Sequence, residues 1–186
     1  MKTVIRMLVT LTVIGIVSGG LLSKVGNWAA PQIERHMQEA IRQAIATVHP
    51  SGTRSEKVAT DALQLYRVFD DDNRAVGYAM SVTGSGFSDK ITLMVGVSED
   101  LATISGIEIL KQTDTPGLGA KIVEPEFKNK FNDLKTEPQI EVTKKDKAAP
   151  NEVEAITAAT ITSKAVVEIV NAHLDILKNV TSEMGL

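Results

Sequence analysis

The chain predicts an α+β architecture: a single N-terminal transmembrane helix and a stalk helix lead into one compact domain with a mainly antiparallel sheet. Three observations predict it. An apolar run from Val4 to Leu22, interrupted only by Arg6, opens the chain. Strand-patterned segments then follow one another between residues 62 and 112, without the β–α alternation of a parallel doubly wound sheet. Near the C-terminal end, Val166, Ile169, Val170, Leu174, Leu177 and Val180 fall on one face of a helix.

The nineteen residues of the apolar run, at about 1.5 Å each, reach roughly 28 Å, close to the hydrocarbon thickness of a bilayer. Lys2 and Arg6 lie at its start, so the positive-inside rule places the N-terminus in the cytoplasm and the main domain outside it. Trp28 suits the interfacial belt. A cleaved signal peptide shares the charged start and apolar stretch. Asn27-Trp28-Ala29-Ala30 is a poor cleavage site, however, and a retained single-pass anchor in the cytoplasmic membrane over residues 1–24 is the expectation. Pro31 occupies a helix-start position, and Ile33, Met37, Ile41, Ile45 and Val48 recur at helical spacing. A stalk helix ended by Pro50, with the polar link SGTRSEK after it, accounts for residues 25–57.

The compact domain is expected over residues 58–186. ALQLYRVF (62–69) alternates apolar and polar residues, Asp70 to Asn73 makes a turn, and RAVGYAMSV (74–82) completes a hairpin. The glycine-rich TGSGFSD leads to a third strand, KITLMVGVS, and the Glu99-Asp100 turn leads to a fourth, TISGIEILKQ. A short helix around Glu126–Phe131, a strand around Gln139–Val142 and the helix after Thr162 follow.

Composition removes several chemistries. The chain has no cysteine, which excludes disulfides, thiol catalysis, cysteine-ligated iron–sulfur clusters and c-type haem attachment on this chain. A net charge of −3 and the lack of a basic stripe argue against a nucleic-acid partner. His36, His49 and His173 are scattered, with no metal-ligand spacing, so no metal site is expected.

Two loops stand out. In TDTPGLGAK (113–121), Pro116-Gly117 suits a type II turn, and Gly119 permits close backbone approach. Local chemistry alone favours an ordinary strand-to-helix turn there, since such turns are common. In AITAATITSKAVVEIV (155–170), Thr157, Thr160, Thr162 and Ser163 crowd ahead of a helix. Thr162 or Ser163 is expected to cap that helix by accepting from amides of its first turn. The helix start also suits an anion, although no P-loop is present.

Thr157-Ala158-Ala159-Thr160, with Glu154 three residues ahead, resembles the S/T-G-A-T signature of the FMN-binding domain family. DTPGLG (114–119) is similar to that family's ETPGLG loop, and GFSDKITLMVGV with ISGIEIL resembles the strands leading into it. Two departures matter: the family prefers aspartate at Glu154 and glycine at Ala158. The family includes subunits of the Rnf electron-transport complex and of sodium-pumping NADH:quinone reductases. The resemblance implies covalent FMN joined through a phosphodiester to Thr160, with Thr157, Ala159, Thr115, Gly117, Leu118 and Gly119 around it. It implies that Leu118 packs on the ring; Lys144 and Lys145 are candidate phosphate partners, although a solvated strand end is the role expected for that pair. It further implies maturation by a separate flavin transferase, which transfers FMN from FAD with a divalent metal and releases AMP. The expected role is a redox subunit relaying electrons within an Rnf-type ferredoxin:NAD+ oxidoreductase that pumps ions, alongside other membrane and iron–sulfur subunits. A cofactor-less scaffold subunit and a stand-alone extracytoplasmic flavin reductase are the alternatives.

Overall fold

The computed structural model describes residues 2–115, 117, 119–144 and 148–185. The chain divides into two units, residues 1–40 and 41–186. The described residues of the first are all helical, as the N-terminal part of α1 (Lys2–Val48). This helix is long and apolar enough to cross a membrane, and Leu8, Leu11, Ile14 and Ile16 are exposed on it. Pro31 does not start a new helix, contrary to the sequence expectation; α1 runs through it. A proline within a helix removes one hydrogen bond at a cost of about 3 kcal/mol, but it does not forbid continuation in a helix this long.

The second unit is built on a six-stranded sheet in the order β1-β2-β3-β4-β5-β6. Its strands are β1 (Arg54–Val58), β2 (Gln64–Phe69), β3 (Ala75–Ser85), β4 (Lys90–Ser98), β5 (Thr103–Lys111) and β6 (Leu134–Lys135). Every neighbouring pair is antiparallel. The expected polar link after Pro50 thus contains the edge strand β1. Four of its five residues are exposed, so the alternation that marks a strand in sequence is missing there, while backbone pairing with β2 defines it.

Alternation along the central strands sends side chains to both faces of the sheet. Ile91, Leu93, Val95 and Val97 of β4, with Tyr78, Met80 and Val82 of β3, join the main core under α3 (Thr160–Met184). The apolar face predicted on α3, from Val166 to Val180, is buried in that core. On the other face, Ala79 and Met94 pack with Ala44, Ile45 and Val48 from the last turns of α1. Val48 rests against two glycines that pair across β4 and β5, Gly96 and Gly106. A Cβ on Gly96 would lie 2.8 Å from the Val48 Cβ, so small residues make room for the helix end.

Past β5 come a 3-10 turn at Gly119–Val123, α2 (Pro125–Lys128) and a further 3-10 turn at Asn129–Phe131, which together replace the single short helix expected there. β7 (Glu141–Thr143) pairs in parallel with β8 (Glu152–Glu154) as a separate two-stranded sheet. Asn171 ties this region to α3: its side chain donates to the Ile140 carbonyl at 2.9 Å and accepts from the Ile140 amide at 3.2 Å.

His49 follows α1 and is 4% exposed. Its Nε2 lies 3.0 Å from the Tyr78 carbonyl, which can only accept, so Nε2–H donates and Nδ1 accepts from the Ser105 hydroxyl at 3.3 Å. Burial lowers its pKa from the ordinary 6.5, with the Tyr78 bond opposing the shift. The native state therefore takes up this proton later than the unfolded chain as pH falls. The neutral imidazole's contribution to stability is complete above about pH 6.5 and is lost as pH drops toward the native pKa. Urea unfolding at pH 7.5 and 5.5 checks this: the wild-type midpoint should fall on acidification by more than that of His49→Gln.

Candidate functional site

The site forms where three segments remote in sequence meet at the N-terminal end of α3. The first is the β3–β4 turn. It closes with the Gly86 amide donating to the Asp89 carbonyl at 2.8 Å, and it presents Phe87, which is 60% exposed. The second is the loop after β5, in which Thr113 donates to the Asp89 carboxylate at 2.8 Å. Asp114 in the same loop is 8% exposed. The third is the Thr157–Ser163 segment. Together they line a cavity of about 380 Å³, within the usual range for small-molecule sites.

Four expected site residues share this cavity: Thr115, Gly119, Ala159 and Thr160. Thr157 instead lines a neighbouring, more polar cavity of about 210 Å³ with Lys121, Lys130 and Glu154. Gly117, at φ +77°, is exposed on the turn, with open space where a Cβ would stand. Lys144 is exposed and lines neither cavity. Pro116, Leu118 and Lys145 lie outside the described residues. Phe87, Asp114 and Lys130 are site residues that the sequence reading did not single out. Lys130 pairs with the Glu154 carboxylate at 3.5 Å and donates to its backbone carbonyl at 3.3 Å, which fixes the strand ahead of the threonine cluster.

The hydroxyl cluster is organised differently from the expectation. Neither Thr162 nor Ser163 caps α3, because the helix starts earlier, at Thr160, after Ala159. Thr162 lies inside the first turn and donates to Asp114 Oδ2 at 2.6 Å. Ser163 accepts from the Ile156 amide at 3.0 Å and donates to the Ala159 carbonyl at 3.0 Å. Both hydroxyls are thus committed to holding the preceding loop. No side chain among the described residues caps the helix, so among them its first amides find no side-chain acceptor and the positive end of the helix dipole is open to an anion. Thr160 is the first helical residue, half-buried, and its hydroxyl bonds no other described residue.

Ala158 takes φ +66°, the left-handed conformation that costs a side-chain-bearing residue about 1–2 kcal/mol. A glycine, the residue of the related signature, adopts it without that penalty. Ala158→Gly is therefore expected to stabilise the domain by about 0.5–1 kcal/mol once the greater freedom of the unfolded glycine chain is subtracted. Chemical denaturation of the two proteins measures the difference.

This arrangement fits FMN. The uncapped amides of α3 suit a phosphodiester anion, the Thr160 hydroxyl stands beside them, and the walls add apolar surface from Phe87, Ala159 and Ile161. Among the described residues no group of histidine, aspartate and glutamate side chains is placed to hold a metal ion.

A profile of the FMN-binding domain family matches residues 86–175, which hold all three segments of the site. The chain is 30% identical over 182 residues to the G subunit of the ion-translocating oxidoreductase complex of Methanosarcina acetivorans, covering 94% of each chain. It is 35% identical over 124 residues to the G subunit of the Na(+)-translocating ferredoxin:NAD(+) oxidoreductase complex of Acetobacterium woodii, covering 65% of this chain and 58% of that one. Among solved structures, the C subunit of the Na(+)-translocating NADH-quinone reductase of Parabacteroides distasonis superposes with a TM-score of 0.53 at 29% identity, over 66% of this chain and 69% of its own. The chain belongs to the FMN-binding domain family, as a relative of the G subunits of ion-translocating oxidoreductase complexes.

Proposed function

We propose that this protein is a membrane-anchored flavoprotein subunit that relays electrons through FMN covalently bound at Thr160, within an Rnf-type ion-pumping ferredoxin:NAD+ oxidoreductase. The observation that carries this reading is the uncapped start of α3. There, one half-buried threonine hydroxyl stays free of the fold while its neighbours at 162 and 163 are tied into it.

In this reading the flavin, when bound, supplies the redox chemistry, and the chain binds and tunes it. Thr160 carries the phosphodiester, and the first amides of α3 donate to its anionic oxygens. Thr115, Gly119 and Ala159 form the surrounding wall, Gly117 turns the loop beside it, and Phe87 covers the mouth with an aromatic face. Thr157 and Glu154, held by Lys130, belong to the surface presented to a flavin transferase. This reading asks no base of the chain itself: activation of the Thr160 hydroxyl is the work of the transferase, which joins FMN from FAD to the threonine and releases AMP.

Residues 1–24 are then the single-pass anchor in the cytoplasmic membrane, with the N-terminus in the cytoplasm. Residues 25–40 are the connection, and the compact unit from 41 onward, which holds the FMN-binding domain, lies outside. Other membrane and iron–sulfur subunits of the complex deliver and remove the electrons. The test is the protein co-expressed with a flavin transferase. Denatured, purified chain should retain flavin fluorescence, and the FMN mass should map to the peptide containing Thr160. A chain that emerges without flavin sinks the proposal.

A further inference from the structure

We infer that Asp114 is a positioning residue for the flavin: its buried carboxylate fastens the 113–121 loop to the first turn of α3 and places a fixed negative charge on the cavity, lowering the reduction potential of FMN bound there. This rests on the cavity being the flavin site.

The carboxylate is built into the structure from three sides. Oδ2 accepts from Thr162 of α3 at 2.6 Å. Oδ1 accepts from the Thr115 amide at 2.7 Å and from Ser88 of the β3–β4 turn at 3.3 Å. Gly119 makes the arrangement possible: a Cβ there would overlap the carboxylate, so the loop can wrap over Asp114 only with a glycine at this point. The contact joins residues 48 positions apart, and it brings Thr115, Gly119 and Thr160 to one cavity.

Every one of these donors is neutral, and no lysine or arginine among the described residues forms an ion pair with Asp114. Burial opposes ionisation most strongly, but the hydrogen bonds from Thr162, the Thr115 amide and Ser88 outweigh it and hold the carboxyl below the ordinary carboxylate range. Among the described residues the site therefore carries an anion with no ion-pair partner at neutral pH. The free end of the α3 dipole lies close by and favours it.

The consequence for a bound flavin follows from charge balance. Two-electron reduction at neutral pH takes up one proton (FMN + 2 e− + H+ → FMNH−) and so adds one negative charge. A fixed anion in a partly desolvated site resists that addition. Reduction becomes harder, and the potential moves to more negative values than the same cavity would give with a neutral side chain.

The experiment uses holoprotein made with a flavin transferase, its FMN verified by intact mass, and titrated potentiometrically with dithionite as reductant. Asp114→Asn keeps the size and one acceptor oxygen for the Thr115 amide and Ser88, turns the other contact round so that its amide donates to the Thr162 hydroxyl, and removes the charge. At the potential where wild type is half reduced, its flavin should show about tenfold more reduced than oxidised form, a positive shift of about 30 mV for a two-electron couple. Asp114→Glu, which keeps the charge, should return the potential toward the wild-type value. Ser88→Lys, at an exposed position beside Oδ1, should shift it in the same direction as Asp114→Asn and serves if the asparagine variant is poorly loaded. A wild-type potential in both charge-altered variants, or an equal shift in Asp114→Glu, overturns the inference while leaving the flavin site intact. Wild type that carries no FMN overturns the site itself, and with it the role of Asp114.

Discussion

Replacing Thr160 by alanine is expected to abolish covalent flavin completely while leaving the domain folded. The hydroxyl is not used by the fold: Thr160 is half-buried at the start of α3 and bonds no other described residue. Its removal therefore should cost well under the 0.5–2 kcal/mol typical of losing a capping side chain. Its neighbours behave oppositely. Thr162→Val breaks the bond to Asp114, and Ser163→Ala leaves the Ile156 amide without its acceptor. Each should lower stability by about 1–3 kcal/mol, because a buried polar group loses its partner. Thr157→Ala removes an exposed hydroxyl from the adjacent cavity and should leave flavin attached at Thr160. Intact mass and in-gel flavin fluorescence after co-expression with the transferase read attachment, and circular dichroism melting reads the fold. Flavin retained in Thr160→Ala, or lost only in variants that also melt early, would rule out Thr160 as the attachment point.

The four hydroxyls show where sequence reading succeeds and where it stops. Their position ahead of a helix and the apolar face of that helix are local properties, and both could be read from spacing. Which hydroxyl stays free is not local. Thr162 turns away from its own helix start because Asp114, 48 residues earlier, waits across the cavity, and Ser163 is claimed by Ile156 in the loop behind it. The central strands were legible for the same reason as the helix: Ile91, Leu93, Val95 and Val97 alternate in sequence as they do in the sheet. β1 was not, since an exposed edge strand is defined by the partner it bonds rather than by its own pattern. The strand expected around Gln139–Val142 overlaps β7 (Glu141–Thr143), whereas β8 has three residues, too few for a period to emerge. Phe87 is an exposed aromatic in a glycine-rich turn, and only the meeting of that turn with the loop after β5 gives it a place in the site.

Gly77→Ala is expected to be among the most damaging single-methyl additions to this chain, although position 77 does not line the cavity. Gly77 holds φ +152°, a conformation that side-chain-bearing residues rarely take. A Cβ there would run into the carbonyl oxygen of Val97 on the paired strand and stand 2.9 Å from His49 Cε1. Neither obstacle yields cheaply. The carbonyl belongs to the backbone of a central strand, and His49 is fixed between the Tyr78 carbonyl and Ser105. Overpacking of about 1–3 kcal/mol adds to backbone strain of similar size, so a loss of at least about 3 kcal/mol is expected. For a domain of this size that lowers the melting temperature by roughly 10 °C. The control is Gly117→Ala in the cavity loop. Its φ of +77° is equally unsuited to alanine, but among the described residues no atom lies within 4 Å of the added methyl, so the left-handed penalty of about 1–2 kcal/mol is the cost expected. Comparing the two melting temperatures separates clash from conformational strain. A Gly77→Ala variant no less stable than Gly117→Ala would mean that β3 and β4 can move apart, and that the seat of the α1 helix end is not the rigid contact its packing indicates.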